Sequence, residues 1–384
     1  MKTNVALLLI GTLLLISSCG NKKAAQITEE SIPVIDLEYA FDHLSGDQVN
    51  FSEFAKDITY IPMETNEKSI FGGKHAPIYN ITEKHIFAGD MMFRRDGRFV
   101  RQLGKKGQGP GEYLLALGMA VDEEREEFYV NDNFHREIFI YDFNNNFKKK
   151  VKGHPRGSAI KLLGNGKIML FSDSYGFFDD YFEYKIIDTN TEEIVYTRTP
   201  FGLKETDPLG GLVWNYNHRM FYYESFKDTI YSLIDGEVSE PTYLINQGKY
   251  KCPEKKSSAD TFNPENYIRI GQIVECDRFL FFSLRLHNNL YYAAYDKTNR
   301  EVKLNEFSKF FNNDIDGGFL WLYKEASDGQ EGFYYVFPYL AKERIEGLSS
   351  QNKKYDRTKN EKLRQFIDSL DEDNNEILYF FDLE

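Results

Sequence analysis

Cysteine is scarce, with three in 384 residues, and one of these, Cys19, closes an apolar leader. The remaining two, Cys252 and Cys276, cannot build a disulfide framework; they read as a single bridge or as two separate buried thiols. Positive charge is also short. Lys and Arg number 47 against 60 Asp and Glu, for a net charge of −13. Gripping nucleic acid takes a concentrated positive field, so that class of partner is excluded. No Gly-Lys-Ser/Thr ends a Walker loop, and no Gly-x-Ser-x-Gly elbow exists. The seven histidines (His43, His75, His85, His135, His154, His218 and His287) include no pair at i, i+2 or i+4, and no HExxH or Cys/His spacing occurs. "DFNNNF" and "DEDNNE" are rich in oxygen but do not fit a calcium loop. Neither a metal nor a cofactor is expected.

Aromatic residues, by contrast, are plentiful. They make up 16% of the chain, with 32 Phe and 26 Tyr, and this tilts the expectation toward β structure. Hydrophobic residues at 41% and charged residues at 28% describe a chain able to bury a core.

The first residues stand apart. Lys2 precedes an apolar run from Val5 to Ile16, too short for a stable span. Small residues and Cys19 follow, the pattern of a secretory signal. Ile16-Ser17-Ser18-Cys19 resembles a bacterial lipobox, which implies cleavage before Cys19 and lipid on that cysteine. Gly20 rather than Asp follows it, so the usual cue for inner-membrane retention is missing. The expectation is a leader over 1–18, a polar tether over 19–31, and a lipid-anchored protein of the outer membrane facing the periplasm.

From 32 onward one theme recurs. "HIFAGD" from His85, "EFYVND" from Glu127, "KIMLFSD" from Lys167, "MFYYES" from Met220, "RFLFFS" from Arg278 and "GFYYVF" from Gly332 begin about 40 to 60 residues apart. Each is too short for a helix and is bounded by turn residues. Four-strand meanders at such a period predict an all-β six-bladed β-propeller over 32–384. Leu363, Phe366, Ile367 and Leu370 space a helix over Asp356–Leu370, inside an insertion of the last blade at about 342–372. The final strand lacks a partner, and "DITYIPMET" near the start is an orphan, so Ile58–Pro62 is expected to pair with Ile377–Phe381.

The stretch "GKKGQGPGEY", Gly104–Tyr113, raises the question of a phosphate loop. Gly107 and Gly109 begin a dinucleotide pattern, but Glu112 stands where its third glycine belongs and strands follow. Gly107–Tyr113, Gly118–Asp122, Tyr129–Asp132, Arg136 and Ile138–Asp142 together resemble an NHL repeat. The likeness is strong over 85–152. More broadly, the lipobox, "ITYIPMET", the GxGPGEY turn, "DTIY" at Asp228–Tyr231 and Asp373-Asn374 resemble six-bladed propeller lipoproteins of Bacteroidetes. The usual proline after that last turn is Asn375 here. The resemblance implies fold and location and assigns no activity. Propeller lyases of the NHL type do gather histidine ligands from separate blades, so a metal assembled at long range stays open.

Meander geometry places the Glu112 turn, the Asp132–Arg136 turn, the Asp173–Tyr181 loop and the helical insertion on one face. The candidate ligand-binding residues are Glu112, Asp132, His135, Arg136, Tyr175, Phe178 and Tyr181. Each has a structural alternative: Glu112 capping backbone amides, Arg136 pairing with Asp132 or a neighbouring blade, the aromatics buried between blades. The leading expectation is a binding or scaffold module for a glycan, peptide or envelope protein. The rival is a propeller lyase or hydrolase with its active site at the channel mouth.

Overall fold

The computed structural model describes residues 32–44, 46, 48–70, 79–154, 157–172, 182–199, 211–253, 263–317, 324–325, 331–336, 357–371 and 374–383. Antiparallel four-strand meanders build it. Sheet I comprises Tyr79–Ile81, His85–Ala88, Met91–Arg94 and Phe99–Gln102; sheet II comprises Ala116–Asp122, Glu127–Asp132, Glu137–Asp142 and Phe147–Lys152. Sheet III comprises Gly157–Gly164, Lys167–Ser172, Tyr184–Asp188 and Glu193–Arg198. Sheet IV holds Leu212–Tyr216, Arg219–Tyr223, Thr229–Ile234 and Glu237–Asn246, extended by Val34–Asp36. Sheet V holds Arg269–Glu275, Phe279–Leu286, Asn289–Asp296 and Val302–Glu306; sheet VI holds Lys324–Glu325, Glu331–Val336, Ile377–Leu383 and Ala55–Pro62. Five of these sheets are four-stranded, against the expected six. Sheet IV has a fifth strand because Val34–Asp36 adds in parallel to its outer edge, Ile35 facing Ile245. That strand covers an edge that would otherwise be open.

The aromatic runs are the second strands of the six meanders. In sheet V, Phe279 to Phe282 are all buried, because a second strand has neighbours on both edges and sheets on both faces. Two-residue turns join many strands. Asn165-Gly166, Asn217-His218, Asp235-Gly236 and His287-Asn288 all have positive φ at both residues, the geometry that matches strand twist in a tight hairpin.

Six apolar clusters each join two consecutive sheets. Phe87 with Phe128 and Tyr141 joins I to II; Tyr129 with Ile168 and Leu170 joins II to III; Met169 with Tyr222 joins III to IV. Trp214 and Tyr223 with Phe282 join IV to V, Phe281 with Tyr379 joins V to VI, and Phe380 with Ile86 and Phe93 returns VI to I. First strands of neighbouring sheets contact one another, as in I with II, II with III, IV with V and V with VI. These strands therefore stand innermost, and the fold is propeller-like.

The two ends of the chain meet as expected. Ile377, Leu378, Tyr379, Phe380 and Phe381 pair antiparallel with Pro62, Ile61, Tyr60, Thr59 and Ile58. A helix spans Arg357–Asp368, and its Leu363 is buried in the V–VI cluster with Phe366 and Leu370 packed against it. A shorter helix, Leu37–Asp42, was not expected. Asp36 caps it by accepting the Tyr39 N–H at 2.9 Å.

Candidate functional site

In each meander the first strand begins, and the second ends, at the same end of the molecule, called the upper end below. In sheet II the register sets Ala116 opposite Asp132. Asp132 is fully buried there. Its carboxylate accepts from the N–H groups of Leu114 at 2.8 Å, Leu115 at 3.3 Å and Phe134 at 3.0 Å. His135 Nδ1 lies 2.8 Å from the same group. Burial alone would raise the Asp132 pKa; the bonds from Leu114, His135, Leu115 and Phe134 outweigh it and hold the carboxyl below the usual range. Asp132 therefore latches the incoming link to the end of the second strand. His135, not Arg136, is its partner. Arg136 is exposed at φ 57° and makes no ion pair among the described residues, so the expected Arg136–Asp132 strut is absent: the left-handed turn points the arginine outward.

The glycine loop is a turn built around Glu112. The Glu112 carboxylate accepts the Gly109 N–H at 2.8 Å and pairs with Lys105 Nζ at 2.5 Å. The lysine, then the amide, hold its pKa below the usual range. A side chain at Gly107 would collide with that carboxylate, which explains the glycine. Tyr113 is buried between sheets I and II, with its hydroxyl donating to Asp90 at 2.9 Å. The Gly107, Gly109, Glu112 and Tyr113 N–H groups are all bonded within the loop, so it is a self-contained turn and not a cradle of free amides.

What the upper end does present is apolar and cationic. Phe134 is 64% exposed, Leu115 48% and Leu117 37%. Phe134 stacks edge-on to His135 at 5.1 Å, and Asn133 N–H donates to the Leu115 carbonyl at 3.1 Å. The exposure of Leu117 has a structural cause. The first strand of sheet II breaks register between Ala116 and Gly118. Sheet III breaks between Gly157 and Ile160, and sheet V between Ile270 and Gln272. Bulges at the same level of three inner strands turn out Leu117, Ala159 and Gly271, all exposed. Bulges re-aim side chains and interrupt pairing, often beside functional sites.

A second group at this end was not visible in the sequence. Glu183 and Arg198 of sheet III meet Tyr222 and Glu224 of sheet IV. Arg198 Nη2 bonds Glu224 Oε2 at 2.8 Å, and its guanidinium lies 5.1 Å from the Tyr222 ring centre. Glu183 accepts the Gly211 N–H. The Tyr222 hydroxyl lies beside Glu183 and Arg198 without a well-aligned bond to either. Burial, reinforced by the Glu224 charge, pushes the Glu183 pKa up to about 7 against the pull of Gly211, Tyr222 and Arg198. A signal did exist: among the described residues, three of the aromatic runs carry an acid at or next to their last position, Asp90, Asp132 and Glu224, and each binds a side chain or link at this end. Glu376, also buried here, is raised by burial and accepts from the Tyr79 hydroxyl at 3.2 Å.

Tyr175, Phe178, Tyr181 and Cys19 lie outside the described residues. Cys252 and Cys276 are separate buried thiols. Among the described residues no three His, Cys, Asp or Glu side chains gather as a metal site. His218 and His287 serve in hairpin turns, and His85 Nδ1 lies 2.9 Å from Glu123. A cleft of about 370 Å³ lies at the outer rim between sheets II and III, lined by Lys152, His154, Glu192 and Glu193 among others.

A family model described as "Domain of unknown function (DUF4934)" matches residues 32–382. Among solved structures, a "Putative exported protein" from Bacteroides fragilis NCTC 9343 aligns with a TM-score of 0.66 at 18% identity, covering 91% of this chain and 99% of that one. At that identity the likeness shows a shared fold. A member of the DUF4221 family from Bacteroides vulgatus ATCC 8482 aligns with a TM-score of 0.47 at 10% identity, over 86% of this chain and 97% of its own. No curated protein matches the chain.

Proposed function

Because the chain belongs to the DUF4934 family, a domain of unknown function, no inherited activity answers what it does, and we propose a binding or scaffold lipoprotein of the cell envelope. Its upper end receives a glycan, a peptide or an envelope protein. The observation that carries this reading is the set of bulged first strands. They expose Leu117, Ala159 and Gly271 on three inner strands, and in sheet II Leu115, Phe134 and Arg136 are exposed at the same end as Leu117. An exposed apolar group rimmed by a cation is the composition of a recognition surface, and rigid strands position it. A thermal-shift screen of the full chain against glycans and peptides tests it. Leu117→Arg and Phe134→Ala remove the shift of any hit while leaving the ligand-free melting temperature in place. Hits insensitive to both variants contradict the reading.

Three finer statements belong to the same proposal. Sheet IV with its added strand counts as one blade, giving a ring of six, with NHL-like blades in sheets I and II and the Arg357–Asp368 helix inserted in the last. Cys19 carries the lipid, and the protein sits on the outer membrane facing the periplasm. The lipobox-like leader supports this, and so does the exported description of the B. fragilis protein of like fold. In membrane fractions, Cys19→Ala releases the protein; retention through a carbonate wash contradicts the anchor.

One observation favours an enzyme instead. Glu183 titrates near neutral pH beside a second carboxylate, the disposition of a general acid–base group. That reading expects turnover of a screened ligand, lost in Glu183→Gln. Binding without turnover decides for the binding module.

A further inference from the structure

Sheet V carries two arginines at the upper end. Arg269 opens its first strand and pairs directly with Arg285 on the second. Directly opposed residues project from the same sheet face. Leu284 and Leu286 pack toward sheet IV while Phe281 packs toward sheet VI, so alternation from Phe281 through Ser283 puts Arg285 on the sheet VI side. Like charges in this position repel, and nothing described here offsets them. Neither guanidinium makes a hydrogen bond or an ion pair among the described residues, and the Nε of Arg269 is buried with no acceptor. Other arginines in the same fold find carboxylates: Arg198 binds Glu224 and Arg278 binds Asp296, both at 2.8 Å. Acids outnumber bases by 60 to 47 in the chain, yet among the described residues none is paired with either arginine. Glu265, the nearest acid before Arg269 in sequence, contributes its backbone carbonyl to the His287 N–H at 2.7 Å. Ser283 lies on the same face, and its hydroxyl is 3.2 Å from where a side chain at the bulged Gly271 would begin. The glycine leaves that space open.

We propose that Arg269 and Arg285, with the Ser283 hydroxyl beside them, form a binding site for an oxyanion group: a carboxylate, sulfate or phosphate. A guanidinium fork matches two oxygens of such a group, and charge-assisted bonds are the stronger kind. A buried donor without a partner is explained once an anion supplies the acceptor. The assignment rests on sheet V alone and stands or falls apart from the binding role proposed above. The anion comes either free from solution or as the acidic group of a sugar.

Calorimetric titration of the full chain with sodium phosphate, sodium sulfate and sodium glucuronate, at ionic strength fixed with sodium chloride, reads both cases. At least one of the three binds saturably, and Arg269→Gln and Arg285→Gln each weaken it about tenfold or more. Glucuronate ahead of both inorganic ions identifies an acidic sugar; inorganic ions equal or ahead identify a free-ion site. No saturable binding by any of the three, equal binding of uncharged glucose, or affinities unchanged in both variants overturns the proposal. A second readout guards against a folding defect. In low-salt buffer free of these anions, Arg285→Gln raises the melting temperature because the repulsion is relieved. A fall would mean that Arg285 already has a stabilising partner, and the site would be abandoned.

Discussion

Two buried glutamates flank sheet IV, one at each end of the molecule, and their surroundings differ. At the lower end Glu275 closes the first strand of sheet V. It accepts from Trp214 Nε1 at 2.8 Å and the Tyr243 hydroxyl at 3.2 Å, and pairs with Lys297 Nζ at 2.8 Å. Trp214 and Tyr243 come from the adjoining sheet IV, Lys297 comes from the turn after the third strand of sheet V itself, and the charge is matched. At the upper end Glu183 is also buried, though less completely, but its cation, Arg198, is bonded to Glu224. One acid is saturated with donors and welds two sheets together. The other is held against its own preference to ionise. The contrast teaches that burial alone does not decide an acid's role: Glu275 at the lower end completes the packing, while Glu183 at the upper end is left short of a cation of its own.

The comparison can be broken in several places. The largest effect is expected from removing Asp373–Glu384, which takes away the strand that pairs with Ile58–Pro62 and with Val336 back to Glu331. Sheets VI and I lose their shared core, and cooperative unfolding in denaturant is abolished. A truncated chain that melts as sharply as its parent contradicts ring closure. Next in size, Glu275→Gln leaves Lys297 without its counter-charge, at a cost of roughly 3–5 kcal/mol as for other broken buried pairs. Chemical denaturation measures it, and a loss under 1 kcal/mol would show the weld to be unimportant. Asp132→Asn keeps the shape but converts an acceptor of four bonds into one with a competing NH₂. A loss of about 1–3 kcal/mol is expected, with faster amide exchange at Leu114 and Leu115. Unchanged exchange there would remove the latch from the account. The smallest effect belongs to Arg136→Ala. An exposed, unpaired turn residue should change stability by no more than about 0.5 kcal/mol, while binding of a screened ligand weakens. A drop in melting temperature with affinity intact would return Arg136 to a structural role.

Much of this was legible in the sequence, for physical reasons that also mark the limit. The second strands show because they are buried on both faces, so runs such as Phe279–Phe282 are continuous aromatic and apolar. The closure of Ile58–Pro62 on Ile377–Phe381 shows because each segment lacked a partner in its own neighbourhood. A first strand such as Leu212–Tyr216 does not show: it lines the inner surface, keeps partial exposure, and carries no clean alternation. Val34–Asp36 was read as the start of the propeller, not as a parallel edge strand, since three residues bear no period. At the site, Glu112 and Asp132 were found from their motif, yet the motif encodes turn construction, and both prove to be bonded within it. The Glu183–Glu224 and Arg269–Arg285 relationships lie between segments far apart in the chain or across a bulge. Pairing register creates them, and composition cannot.

The most direct test of the difference between the two glutamates is the pH dependence of unfolding free energy for the wild type and Glu183→Gln. Burial raises the Glu183 pKa from its ordinary 4.5 to about 7, so between these values the folded protein binds more protons than the unfolded chain. Its penalty is absent below pH 4.5, grows as pH rises through the window, and is complete above pH 7. Glutamine carries no such penalty. From pH 5 to pH 8 the variant should therefore gain on the wild type, by up to about 3 kcal/mol. A variant that is destabilised by a constant amount across that range would show Glu183 to be a satisfied structural acid like Glu275, and the distinction between the two would fail.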